Sequence, residues 1–256
     1  MNYRLFNIIF IVFILGWIWA DRHLKIGPAV YGWLLIVYLT VLFCGSYFIR
    51  WGFFFKSICF QKTSEKYVAL SFDDGPDIKN TNRILDILKE YDTAAVFFCI
   101  GRKIAGQEAM LKRMIEEGHI IGNHSYSHHP LFDLFSSRKM LAELSATNLA
   151  IKNATGYSPR FFRPPYGVTN PNLRKALIRG GFISVGWSIR SYDTATHNQN
   201  RLLSKINRSL KPGSIILFHD TSDTMLAILP RLLSNIQTAG FKAIRVDKMI
   251  NLNPYA

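Results

Sequence analysis

Cysteine is scarce in this chain. Cys44, Cys59 and Cys99 are the only three in 256 residues, and none stand in a C-x-x-C spacing. That excludes a disulfide scaffold and a thiolate zinc site, and leaves three small hydrophobes. No G-x-G-x-x-G follows the first strand-like run and there is no P-loop, so a dinucleotide or nucleotide fold would lack its site. Internal repeats and low-complexity tracts are absent. Acids are few: 17 Asp and Glu stand against 31 Lys and Arg, a net charge of +14. Such basicity suggests an anionic membrane face, an anionic substrate or nucleic acid. The cations are dispersed rather than gathered with aromatics on one element, so no nucleic acid partner is expected. With 49% apolar and 19% charged residues, the chain is not disordered and can bury a sizeable core.

Two long stretches lack charge altogether. Residues 5–20 and 28–49 contain no Asp, Glu, Lys or Arg. A bilayer core takes about 20 apolar residues, with a lower limit near 17. The second run qualifies by itself, and Tyr3, Trp17 and Trp19 are interface-type residues near the ends of the first. The polar turn between them, Asp21 to Gly27, carries Arg22 and Lys25. Residues 1–50 therefore read as a transmembrane helical hairpin. A cleaved signal peptide is disfavoured, since Ile18 and Trp19 before Ala20 make a poor cleavage site. Residues 51–65 read as a membrane-proximal connector that either lies in the headgroup layer or packs under the next domain. The Lys and Arg count slightly favours termini inside. The expected location is the cell (inner) membrane.

From residue 66 the pattern changes to apolar runs alternating with helical periodicity. Strands are expected at 67–72, 94–100, 119–123, 160–163, 182–187, 214–219 and 241–246. Helices are expected at 80–91, 109–117, 136–154, 170–179, 199–210 and 226–239. Strand then helix, about seven times, predicts a parallel sheet covered by helices. Closed or nearly closed, it is a (β/α) barrel with chemistry at the strand C-terminal ends; an open doubly wound sheet is the alternative.

Reactive residues do sit at those ends. They are Asp73 and Asp74 after the first strand, His124 and His128 after the third, and Arg163-Pro164-Pro165-Tyr166-Gly167 after the fourth. Trp187, Arg190 and Asp193 follow the fifth, and His219-Asp220 the sixth. His124 and His128, four apart, would face one point if they lay on a helical turn. One carboxylate of the Asp73/Asp74 pair completes a three-ligand divalent-metal set, and the other is free to take a proton from water.

Ser71-Phe72-Asp73-Asp74-Gly75-Pro76, His124-Ser125-Tyr126-Ser127-His128, Arg163 to Gly167 and Leu217-Phe218-His219, in this order, resemble the motifs of the polysaccharide deacetylases. This is the NodB-homology domain of carbohydrate esterase family four. The resemblance covers about residues 66–250 and implies a distorted (β/α)7 barrel that binds a divalent metal, zinc above all. It implies Asp74, His124 and His128 as metal ligands and Asp73 as general base, paired with Arg163. Further, it implies the Tyr166 backbone N–H as an oxyanion donor and His219 as general acid. Trp187, Leu217 and Pro165 would line the acyl pocket. One departure stands out: Arg190 occupies the place where the family usually has an Asp that orients the catalytic His. Asp193 is expected to take over, with Asp220 as the other candidate, and Arg190 to face an anionic substrate.

The resulting expectation is a membrane-anchored, metal-dependent hydrolase that removes N-acetyl groups from sugars of a glycan, with the catalytic part extracytoplasmic although the Lys and Arg count slightly favours termini inside. Two other readings stay open. One is a deacylase or deformylase of a lipid-linked amino sugar at the membrane; the other is a non-catalytic carbohydrate-binding homologue. The expected partners are the glycan or lipid-linked substrate and membrane lipid, and no protein partner is inferred.

Overall fold

The computed structural model describes residues 2–24 and 27–256; Lys25, one of the two expected turn cations, lies outside them. Helix α1 (Tyr3–Leu24) runs on past residue 20 through Asp21 and Arg22. Asp21 continues the helix with its carboxylate satisfied, accepting a hydrogen bond at 2.9 Å from the Tyr31 hydroxyl of α2 (Ala29–Tyr47). Nearer the domain, the Tyr38 hydroxyl donates to Asn7 Oδ1 at 2.8 Å and the Tyr38 ring stacks on Phe6. Among the described residues of the two helices only Phe6 and Gly45 are buried. Side chains such as Ile8, Val12, Leu15 and Phe43 face outward. A core hairpin would hide that surface, so the pair is not part of the domain's core.

The sheet contains β1 (Tyr67–Gly75), β2 (Val96–Cys99), β3 (Ile120–Asn123), β4 (Phe161–Phe162), β5 (Ile183–Ser184), β6 (Ile189–Arg190), β7 (Ser214–His219) and β8 (Lys242–Ala243). The helices between them are α3 (Thr81–Glu90), α4 (Glu108–Glu116), α5 (Ser137–Thr155), α6 (Pro171–Gly180), α7 (Gln199–Ser209) and α8 (Asp223–Thr238), with a short α9 (Val246–Ile250) after β8. All strand pairs are parallel, in the order β5-β4-β3-β2-β1-β7-β6, with β8 against the start of β1. The sheet curls into a distorted (β/α)7 half-barrel, and the doubly wound alternative does not apply.

Alternation along β1 divides the core in two. Val68, Leu70 and Phe72 join the outer core with Leu85, Leu202 and Leu229 of the helices. Phe72 stacks on Phe97 and Phe218 of the neighbouring strands, with ring centres 5.0 and 5.7 Å away. Ala69 faces inward among Phe98, Phe161 and Ile215, and Ser71 and Asp73 continue that inner line. Side-chain caps set the starts of the covering helices: Ser136 accepts from Lys139 N, Asn170 from Leu173 N and Ser222 from Met225 N.

Three strands differ from expectation. The last, expected over 241–246, is confined to Lys242–Ala243, and α9 begins at Val246. The first continues through Asp73 to Gly75, because its ladder with β7 holds as far as the Asp73–His219 pair. The run 182–187 is split: β5 stops at Ser184 and the chain rejoins the sheet as β6. The connector occupies the space between. Ile58 N donates to Ser184 O and Gly186 N to Ile58 O, each at 2.9 Å, and Gln61 N donates to Gly213 O at 3.0 Å. Phe53, Ser57 and Cys59 are buried. The segment therefore packs into the barrel's open side rather than lying apart from it. Gly213, at φ 83°, is needed here, because a Cβ at that position would collide with the Gln61 carbonyl.

The end of α2 is bonded to the pole where the strand C-terminal ends gather. Thr169 N donates to Ser46 O at 3.0 Å and the Ser46 hydroxyl to Thr169 O at 2.6 Å. Thr169 lies just beyond the Arg163–Gly167 motif, so the apolar pair and the strand C-terminal ends meet at one place.

Candidate active site

Inward positions at the C-terminal ends of β1, β3, β4 and β7 bring Asp73, His124, Arg163 and His219 to one pole. Asp73 and His219 are in register across β1 and β7. Period-two alternation would send Asp74 to the opposite face of the sheet. Instead the β1–β2 ladder slips between Asp73 and Gly75, and Asp74 takes φ 75°. This bulge lets two adjacent carboxylates serve the same pole. Among the described residues, five of the seven non-glycine residues with positive φ ring the site: Asp74, Ser125, His128, Tyr166 and Tyr192. Left-handed backbone at such residues is costly and collects where function requires it.

His124 and His128 do converge, but not on a helical turn. The 124–129 segment is irregular, bent at Ser125 (φ 62°) and His128 (φ 46°). Glu143 of α5 holds the bend, its Oε2 accepting from Tyr126 N, Ser127 N and the Ser127 hydroxyl. Sequence reading missed Glu143, and no local signal marks it. His124 Nδ1 donates to the Arg163 carbonyl at 2.8 Å; because that oxygen can only accept, Nε2 is left with its lone pair. His124 Nε2 and His128 Nε2 lie 3.5 and 3.4 Å from Asp74 Oδ1. That oxygen is buried with no hydrogen-bond donor. One ligand atom from each of the three residues falls within 4.8 Å of the others. Burial alone would raise the Asp74 carboxyl, but the imidazoles of His124, His128 and His219 hold it well below the usual carboxylate range. Burial and the neighbouring His124 push His128 down to about 4, so it is a neutral donor at physiological pH. An orphaned carboxylate oxygen facing two imidazole nitrogens is a donor set that suits a divalent ion.

Asp73 has its two oxygens divided. Oδ1 accepts from Arg163 Nη1 at 2.8 Å, while Oδ2 faces the cluster, 3.9 Å from His124 Nε2. Arg163 is fully buried. It donates also to Ser71 Oγ, Val185 O and Gly186 O at 2.8, 3.0 and 2.7 Å, and its guanidinium lies 4.2 Å from the Phe98 ring centre. Ser71 completes this arrangement and was not singled out from sequence.

His219 is oriented by Asp193. Nδ1 donates to Asp193 Oδ1 and the His219 backbone N to Asp193 Oδ2, both at 2.9 Å. Burial disfavours the charged ring, yet the Asp193 carboxylate outweighs it and raises the His219 pKa. Asp220 faces elsewhere, accepting from the Thr81 hydroxyl at 2.7 Å, with burial raising its carboxyl to about 7. Arg190 is paired in register with Leu217 and leans over the rings of Trp187 and Tyr192. Trp187 and Leu217 pack together on Ile49 and Cys59 of the segment that follows α2. Pro165 is buried, and Tyr166 (φ 58°) sets its ring edge-on to His128 at 4.8 Å. Gly167 (φ 74°) lies against the Trp187 ring, where a Cβ would collide.

A family model described as polysaccharide deacetylase matches residues 60–184. The peptidoglycan-N-acetylglucosamine deacetylase PgdA of Listeria monocytogenes is 31% identical over 186 residues, covering 73% of this chain and 39% of that protein. The chain thus spans well under half the length of that relative. A peptidoglycan-N-acetylglucosamine deacetylase of Bacillus cereus is 33% identical, covering 71% of this chain and 67% of the relative. A crystal structure of a peptidoglycan N-acetylglucosamine deacetylase superposes with a TM-score of 0.74 at 28% identity, covering 78% of this chain and 95% of the other.

Proposed function

The chain belongs to the polysaccharide deacetylase family, and from that premise we propose that it is a membrane-anchored, metal-dependent hydrolase that removes N-acetyl groups from the amino sugars of an envelope glycan. One observation carries the reading. Asp74 offers an orphaned buried oxygen to two imidazoles, while its neighbour Asp73, held by Arg163, keeps Oδ2 free beside them.

Asp74, His124 and His128 would hold the ion, with zinc the best match to two imidazoles and one carboxylate. When bound, the ion supplies Lewis-acid polarisation of the acyl carbonyl. Asp73 Oδ2 takes the proton from the attacking water, and Arg163 fixes the angle of that carboxylate. His219 Nε2, opposite Asp73 in register, gives a proton to the departing amine; Asp193 holds the ring and favours its charged form. The Tyr166 backbone N–H serves the developing oxyanion. Trp187, Leu217 and Pro165 enclose the acyl methyl. An amide has a poor leaving group, so base and acid must act on the same bond from opposite sides.

Membrane anchoring is supported by two helices with outward apolar faces, whose apolar spans Tyr3–His23 and Ala29–Tyr47 are 21 and 19 residues long. Both are long enough to span a bilayer. The relatives act on cell-wall glycan by name, which fits a catalytic part on the envelope side.

The test is acetate release from N-acetylglucosamine oligomers by the full-length protein in detergent, with and without added zinc. Release that depends on zinc is expected; metal binding without release from any N-acetylated sugar would overturn the reading. Chelator treatment is expected to lower Tm and zinc to restore it, since an ion at 100 times its Kd stabilises by about 2.7 kcal/mol. Asp74→Asn should abolish that response. The pH profile gives a third check. His219 works protonated, so its pKa sets the basic limb, and the Asp193 carboxylate raises that pKa. Asp193→Asn is expected to move the basic limb to lower pH and to reduce the maximal rate; full activity with an unmoved limb would remove Asp193 from this role.

A further inference from the structure

A cavity of about 660 Å³ stands apart from the Asp–His–His cluster, none of whose residues line it. Its link to the site is Trp187, whose ring centre lies 5.7 Å from the guanidinium of Arg163, the partner of Asp73. One wall is the segment that leaves α2, with Phe48, Arg50 and Trp51; the other carries Trp187, Arg190, Tyr192 and Lys205. Three cations line it and no acid does. Among the described residues, none of the three has a carboxylate within 4.0 Å. Two of them are held in place. Lys205 Nζ sits 3.8 Å from the Tyr192 ring centre and donates to the Arg190 carbonyl at 3.1 Å. The Arg190 guanidinium lies 5.1 Å from the same ring's centre and 5.7 Å from that of Trp187. Burial first, and then the neighbouring charges of Arg190 and Arg201, lower the Lys205 pKa.

Position narrows the ligand. Tyr47 ends the second apolar helix and Phe48 to Trp51 are the first residues beyond it, so the cavity opens where that helix leaves the bilayer. Aromatic and cationic side chains at that depth meet phosphate groups, with apolar tails below them. We infer that this cavity is a phosphate-binding subsite for an amphiphile, taking the phosphate or diphosphate that joins a lipid tail to an acylated sugar and leaving the sugar at Trp187. The inference rests on the sugar N-deacylase reading of the neighbouring cluster and names the substrate class: a lipid-linked N-acylated amino sugar. Planar guanidinium groups of Arg50 and Arg190 suit phosphate oxygens in pairs, and Lys205 adds a point charge.

The experiment is direct binding to the full-length, zinc-loaded protein in neutral detergent, with farnesyl diphosphate as the probe. Farnesol, inorganic pyrophosphate and phosphatidylglycerol are measured in parallel. Farnesyl diphosphate is expected to bind, to weaken with salt, and to lose at least about tenfold in affinity in Arg50→Gln/Lys205→Gln. Both side chains are exposed, so the variant keeps the fold, which its zinc-dependent Tm verifies. Competition with acetate release from the oligomer assigns the phosphate to the substrate. Equal binding of phosphatidylglycerol without competition assigns it to a bilayer lipid and overturns the substrate assignment. No binding, or binding unchanged by the double variant, overturns the subsite. Binding does not depend on turnover: a protein that binds farnesyl diphosphate through these cations yet releases no acyl group refutes the deacylase reading and leaves the subsite standing.

Discussion

Asp73→Asn is expected to cut acetate release by about 10²–10⁴-fold, the usual contribution of a positioned general base, while zinc still binds. The amide keeps the size of the carboxylate but cannot accept a proton from water at neutral pH. Asp74, His124 and His128 are untouched, so the variant's Tm should still respond to chelator and zinc. Asp74→Asn should behave differently, losing the zinc response and the activity together. That contrast separates two adjacent acids which sequence spacing alone leaves interchangeable. Because Asn leaves the buried Arg163 charge without its carboxylate, rates must be compared where both proteins are folded. Wild-type turnover in Asp73→Asn would move the base elsewhere, and loss of zinc affinity would make Asp73 a ligand.

Arg163→Met carries the largest expected cost in stability. The guanidinium is fully buried, donates to Asp73, Ser71, Val185 O and Gly186 O, and rests on Phe98. Methionine fills part of the space but satisfies none of those acceptors. Removing one partner of a buried ion pair typically costs about 3–5 kcal/mol, because the other charge is left desolvated. For a domain of this size that is roughly 6–20 °C in Tm. The double variant Asp73→Asn/Arg163→Met should be more stable than the sum of the two single losses predicts, since no lone charge remains inside. Additive losses, or an Arg163→Met cost below about 1 kcal/mol, would mean the pair is not coupled as the geometry implies. Activity should fall with Arg163→Met even well below its Tm, because the base loses the contact that sets its angle.

Much of this is legible in one dimension. The strand–helix alternation, the two uncharged runs and the reactive residues at strand ends follow from periodicity and local chemistry, which are properties of neighbours in sequence. Spacing could not show that His124 and His128 meet through two left-handed residues held by Glu143. Nor could it show that a bulge turns Asp74 to the same pole as Asp73, since an ideal strand puts them on opposite faces. The choice between Asp193 and Asp220 as partner of His219 depended on the path of the loop after β6. Likewise, the connector's place in the barrel depended on the gap between β5 and β6, and the cluster of Arg50, Arg190 and Lys205 on the docking of α2. Composition and periodicity decided the layers, the motifs and the class of chemistry, because those need only the order of residues. Which oxygen faces which nitrogen, and which cations share a cavity, was decided by packing between segments far apart in the chain, where backbone strain and burial select one arrangement among several that the sequence pattern permits.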